Sequence, residues 1–260
     1  GNEIYFFDDV EWGNIPGWTG DIGSNQWHVV YDPATAYSPQ RYWYSGEQNG
    51  ATVDLISPDI DLTGAAPPVY LCFYEQYHLE SGLFWSDQLS IDVSTDGGST
   101  WTTIYSVTGA ADKTNWTPRT ELRIDTYIGN VVKIRFRLSA PSRLLGSAWW
   151  RIDDIVIARG SVTQNRIFYD PVNLTSQTIW QVDSSGRANG NWTVDTTDSA
   201  PGSSPYAWHG WYSVGRLPRS GTWELYTDID VSGYDDYRVI FMYKTALSEK
   251  GSLTFKTELD

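Results

Sequence analysis

Cysteine is nearly missing from this chain. Cys72 stands alone among 260 residues, so no internal disulfide can cross-link it and the sequence carries no redox signature of its compartment. Its setting, Val69-Tyr-Leu-Cys-Phe-Tyr74, marks it as a small hydrophobe buried in a strand. Histidine is scarce too. His28, His78 and His209 lie far apart, and neither a His-Glu-x-x-His zinc pattern nor a Gly-x-Ser-x-Gly elbow occurs, which sets peptidase chemistry within these residues aside. Lys and Arg number 18 against 32 Asp and Glu. The resulting formal charge of −14 leaves no basic stripe to offset phosphate, and excludes nucleic acid and anionic lipid as partners. No apolar run reaches the length of a membrane helix, so no membrane insertion is expected. The start, Gly1-Asn-Glu, lacks the basic and then apolar make-up of a signal peptide, and the chain reads as a soluble piece of something longer.

What the chain has instead is aromatic side chains, with 14 Trp and 17 Tyr, while the helix formers Lys, Glu and Leu are sparse. An all-β class follows. The clearest element is Gln88–Trp101, where Leu89, Ile91 and Val93 alternate with Ser90, Asp92 and Ser94 before the tight turn Asp96-Gly97-Gly98 and the return strand opened by Trp101. Further strands are expected at Glu3–Phe7, Trp27–Val30, Arg41–Tyr44, Ala51–Ser57, Val69–Tyr77 and Arg119–Ile124. Val132, Ile134, Phe136 and Leu138 alternate with Lys133, Arg135 and Arg137, one dry face against one wet face. Trp149–Ile157 closes the block.

After a linker at Arg159–Gln164 the pattern starts again. Phe168–Val172 with Trp180 parallels Phe7–Val10 with Trp18, and Trp192-Thr-Val parallels Trp27-His-Val. Thr227–Gly233 overlays Pro58–Gly64, Val239–Tyr243 overlays Tyr70–Tyr74, and Leu253–Asp260 overlays Leu89–Asp96. Two copies of one β domain are expected, 1–160 and 161–260. The second stops at Asp260, where the first still runs on to Ala158, so it is expected to be incomplete and to lean on another surface for its missing strands.

Three stretches carry a family resemblance: Tyr44-Ser-Gly-Glu47 with Leu55–Leu62, then Asp87–Gly98 with Trp101, and finally Trp150-Arg-Ile-Asp-Asp-Ile155. In that order they resemble the MAM-like jelly-roll modules, which include cleaved-adhesin and choice-of-anchor modules and the β-sandwich appended to immune-inhibitor-A-type secreted peptidases. The resemblance implies an antiparallel two-sheet jelly roll, secreted or surface-attached, without catalytic machinery, often in tandem and often beside a hydrolase, with a structural calcium in many members. The second copy departs from the pattern, with Asn173 where the first has Glu11 and no counterpart of Ile152-Asp-Asp-Ile155.

The residues themselves also point to calcium. Trp150 and Ile152 share a face, but Ile155 and Ile157 do so only if the register slips by one, which places an irregularity at Asp153-Asp154 and turns one carboxylate toward the core. With no Lys or Arg expected beside it, Glu11, Asp87, Asp153 and Asp154 together with loop carbonyls form the candidate ligand set for Ca2+. Two functions compete. The leading one is a non-catalytic extracellular module for adhesion or accessory binding to a protein or glycan, within a larger secreted or surface protein such as a peptidase. The alternative is a carbohydrate-binding module, with Trp85 in the loop Ser81–Ser86 as the best stacking ring ahead of Trp149, Trp208 and Trp211. A catalytic variant would need Glu75 and Glu80 as an acid/base pair.

Overall fold

The computed structural model describes residues 3–11, 17–38, 40–161, 174–183, 190–196, 207–212, 224–230, 239 and 252–257. Its strands are, in chain order, β1 (Ile4–Asp8), β2 (Thr19–Gly20), β3 (His28–Tyr31), β4 (Arg41–Tyr44), β5 (Ala51–Ile56), β6 (Ile60–Asp61), β7 (Val69–Leu79), β8 (Gln88–Ser94), β9 (Thr102–Thr108), β10 (Ala111–Arg123), β11 (Val131–Ala140) and β12 (Trp149–Arg159), then β13 (Gln181–Asp183), β14 (Gly190–Asp195), β15 (Ala207–Tyr212) and β16 (Glu224–Tyr226).

The first twelve strands make two six-stranded antiparallel sheets. One runs β10-β7-β12-β4-β3 with β1 also on β12, and the other runs β2-β5-β11-β8-β9 with β6 also on β11. From β7 to β12 the chain passes back and forth between the sheets, as in a jelly-roll β-sandwich. Alternation decides what fills the space between them. β11 buries Val132, Ile134, Phe136 and Leu138, and they meet Phe73 of β7 and Trp150 of β12, with Phe136 edge-on to both at centroid distances of 5.3 and 5.6 Å. Trp18, Trp27 and Trp43 belong to the same core, with Trp18 packed against Trp43 and Phe136.

β10 is longer than the sequence suggests, starting at Ala111 rather than Arg119. Its early residues are polar and include Pro118, which a central strand would not tolerate, but β10 is the outermost strand of its sheet and needs only one bonded edge. Beyond residue 161, β13 pairs with β16 and β14 with β15. Residues 252–257 form no strand, although Leu253–Asp260 was expected to repeat β8. The expected matches at Phe168–Val172 and at residues 240–243 lie outside the described residues.

Candidate functional site

The two sheets present different outer faces. Outside β11, Arg135 and Arg137 are closed off by Asp92 and Asp54 at 2.8 and 2.7 Å, so that face is a lattice of ion pairs. Outside the other sheet the register lines up rings and donors across four strands. Gln76 of β7 faces Arg151 of β12, which faces Tyr44 of β4, which faces His28 of β3. One step along, Asp112 of β10 faces His78, and His78 faces Trp149. This follows from the two-residue period of β12: Trp150 and Ile152 go into the core, so Trp149 and Arg151 come out.

Arg151 is the centre of the face. Its guanidinium carbon lies 4.8 Å from the Trp149 ring centre, 5.3 Å from Tyr44 and 5.4 Å from Tyr42, and its Nη1 donates to Gln76 Oε1 at 3.1 Å. Gln76 is itself oriented by donating to the Thr114 carbonyl at 2.9 Å. Burial alone would hold the His78 imidazole down, but Asp112 at 2.5 Å and then Glu80 at 3.4 Å outweigh it and push its pKa up. The His78 ring also stacks on Trp149 at 6.3 Å. Farther along, Tyr37 stacks on Tyr74 at 3.5 Å, and Trp116 packs against Tyr42. Of these residues the sequence singled out only Trp149 for binding. The strand at Arg41–Tyr44 was legible, but not that β4, β12 and β7 are neighbours.

Trp85 lies in the loop at the Trp149 end of this sheet, and Arg143 covers its ring at 4.7 Å. The same Arg143 donates to Asp87 Oδ1 at 2.7 Å, and Asp87 Oδ2 accepts the Glu80 amide at 2.7 Å. Asp87 is therefore an arginine partner, engaged apart from the other proposed calcium ligands, because the loop before β12 brings in a cation that strand spacing could not show. Glu75 and Glu80 do not face each other either. Glu75 is fully buried between the sheets, held by Arg119 at 2.6 Å, Lys113 at 3.0 Å and Trp150 Nε1 at 3.1 Å, whereas Glu80 lies at the strand end beside His78 and Arg143. No bond can sit between them, which removes that acid/base pair.

Glu11 and Asp153 do come together, around Ser38. The Ser38 hydroxyl is 3.1 Å from Asp153 Oδ1 and 3.3 Å from both Glu11 Oε1 and the Asp9 carbonyl, three acceptors for a single proton. The Ser38 amide donates to Asp153 Oδ2 at 3.0 Å, and the Arg41 amide to Glu11 Oε1 at 2.9 Å. Asp153 is wholly buried, and burial followed by the neighbouring Asp154 pushes its carboxyl well above the ordinary range. The ladder between β12 and β7 shifts register between Asp153 and Val156, where the sequence places a slip. Asp154 there has φ 48°, and Val10, just past the end of β1, has φ 61°, a left-handed backbone that a β-branched residue holds only under constraint. The donor set is hard oxygen, which suits calcium. Two features limit the fit: Arg41 approaches Glu11 at 4.0 Å, and among the described residues no three His, Cys, Asp or Glu side chains are grouped so as to hold a metal.

No family model matches the chain, and no curated protein matches it. Solved structures do. The carbohydrate-binding module TmCBM61, in complex with β-1,4-galactotriose, is 17% identical and covers 60% of this chain and 99% of its own, at a TM-score of 0.38. The C-terminal family 22 carbohydrate-binding module of Clostridium thermocellum Xyn10B is 16% identical over 63% of this chain and 99% of its own, at 0.40. The K2 cleaved-adhesin domain of Lys-gingipain is 17% identical over 62% and 98%, at 0.38.

Proposed function

We propose that the sandwich of residues 1–160 is a non-catalytic glycan-binding module that works outside the cell, as an accessory part of a larger secreted or surface protein. The observation that carries this reading is the outer face of the β10-β7-β12-β4-β3 sheet, where Trp149 and Tyr44 flank Arg151 and Gln76. A sugar ring needs a flat apolar platform for its C–H face and fixed donors and acceptors for its hydroxyls, and this face offers both on a rigid sheet. Trp85 borders the site and supports it through Arg143. Titration calorimetry against a panel of soluble polysaccharides should give at least one ligand whose affinity falls about tenfold or more in Trp149→Ala and in Arg151→Ala, each removing a contact of about 1–3 kcal/mol, with a smaller effect of Trp85→Ala. Loss of binding in Trp85→Ala with full binding in Trp149→Ala would place the site in the 81–86 loop instead.

A structural calcium at Glu11, Asp153 and the Asp9 carbonyl belongs to the same reading, supported by the crowding of acceptors around Ser38. So does the tandem organisation. Val194 of β14 pairs with Trp208 of β15 as Val29 of β3 pairs with Trp43 of β4, the same partners 165 positions apart.

A further inference from the structure

Four side chains break the rule that large apolar groups are covered: Leu83, Phe84, Leu144 and Leu145 are 87, 91, 94 and 81% exposed, the highest values among the large hydrophobics of the described residues. They occupy the tips of two loops, 80–87 between β7 and β8 and 141–148 between β11 and β12, and the fold ties those loops together at their base. Arg143, whose side chain is 3% exposed, reaches Asp87 at 2.7 Å and Glu80 at 3.1 Å and lies over Trp85. Asn49 accepts the Arg143 amide at 2.8 Å and donates to the Arg143 and Gly146 carbonyls at 2.9 and 3.1 Å. Gly146, at φ 89°, has the Glu80 carboxylate packed where any side chain would stand, its Oε2 2.1 Å from the position of a Cβ. Arg143 and Asp87 are therefore buried and paired with each other, Ser81–Ser86 and Leu144–Ala148 carry no charge, and the exposed Glu47 accepts the Ser147 hydroxyl at 3.1 Å beside the second tip.

We propose that the two tips form a peripheral membrane-docking edge, which places Leu83, Phe84, Leu144 and Leu145 at the headgroup–acyl boundary of a zwitterionic bilayer with Trp85 behind them. Two observations select this occupant. The four side chains expose on the order of 500 Å², at roughly 150 Å² each, short of the about 800 Å² per side that a standard protein interface buries. A net charge of −14 repels anionic lipid but not a zwitterionic surface. The sequence expectation of no membrane insertion tested for a long apolar run, which this arrangement does not need, and no helix of the described residues is long and apolar enough to cross a membrane.

The test is flotation of the full chain with phosphatidylcholine vesicles. The native chain should float with them, and bind less to vesicles containing phosphatidylserine. The fourfold variant Leu83→Ser, Phe84→Ser, Leu144→Ser, Leu145→Ser should lose about tenfold or more of the bound fraction with an unchanged melting midpoint, since these side chains support no packing. That variant keeps Trp149 and Arg151, so its glycan affinity separates this proposal from the preceding one. A native chain that stays in the soluble fraction, or a variant that floats equally well, overturns the proposal. So does self-association lost in the variant without any vesicle binding, which would make the tips a contact between copies.

Discussion

His78 lies between Asp112 and Glu80 on the proposed glycan face, and its titration is a direct probe of that face. Its folded-state pKa is raised above the ordinary 6.5, because the two carboxylates together outweigh burial. A raised histidine pKa contributes stability that is fully present below the unfolded value near 6.5 and is lost as the pH rises through the folded value above it. With three histidines in the chain, the imidazole signals can be followed separately by NMR. The His78 midpoint should lie above 6.5 and drop back in Asp112→Asn; a native midpoint at or below 6.5 means that the pairing does not form in solution. Calcium is the second question at this scale. If Glu11 and Asp153 hold the ion, a hundredfold excess over Kd adds about 2.7 kcal/mol, or roughly 5–10 °C in the melting midpoint for a domain of this size. That shift should vanish in Glu11→Gln and in Asp153→Asn and persist in Asp87→Asn. Equal midpoints in calcium and in chelator would remove the site.

At the scale of elements, β7 and β10 are joined by more than their ladder. Glu75 sits on the inward face of β7, in line with Phe73 and Tyr77, where an apolar residue is expected, and β10 answers it with Arg119 and Lys113. Arg119 in turn lies 4.2 Å over the Tyr105 ring of β9, so one buried cation links three strands. Removing one member of such a pair leaves a charge stranded in the core, at a cost of about 3–5 kcal/mol. Arg119→Ala should destabilise by about 3 kcal/mol, the low end because Lys113 remains, as read in urea denaturation. A loss under about 1 kcal/mol would mean that solvent reaches Glu75. The sequence offers Glu75 only as half of an acid/base pair with Glu80, whereas the structure buries it on the face of Leu71 and Phe73. The answer lies on β10, whose polar start and Pro118 hid it from a reading of its own sequence.

For the whole molecule, local pattern and global arrangement separate cleanly. The sequence by itself determined the all-β class, most strand positions from β1 to β12, the buried tryptophans and the slip at Asp153-Asp154, because each is written in the two-residue period of one strand and the few residues around it. The proposed tandem repeat rests on the likeness between the pairing of Val194 with Trp208 and that of Val29 with Trp43. Only the tertiary structure decided which strands became neighbours, since that depends on how both sheets cover their apolar faces at once. That arrangement set Arg151 among Trp149, Tyr44 and Gln76, residues drawn from three strands. It sent Asp87 to Arg143 rather than to Glu11, through a loop whose path no periodicity records. It also brought Leu83 and Phe84 beside a loop some sixty positions later in the chain, where an apolar surface forms that no single stretch of sequence contains.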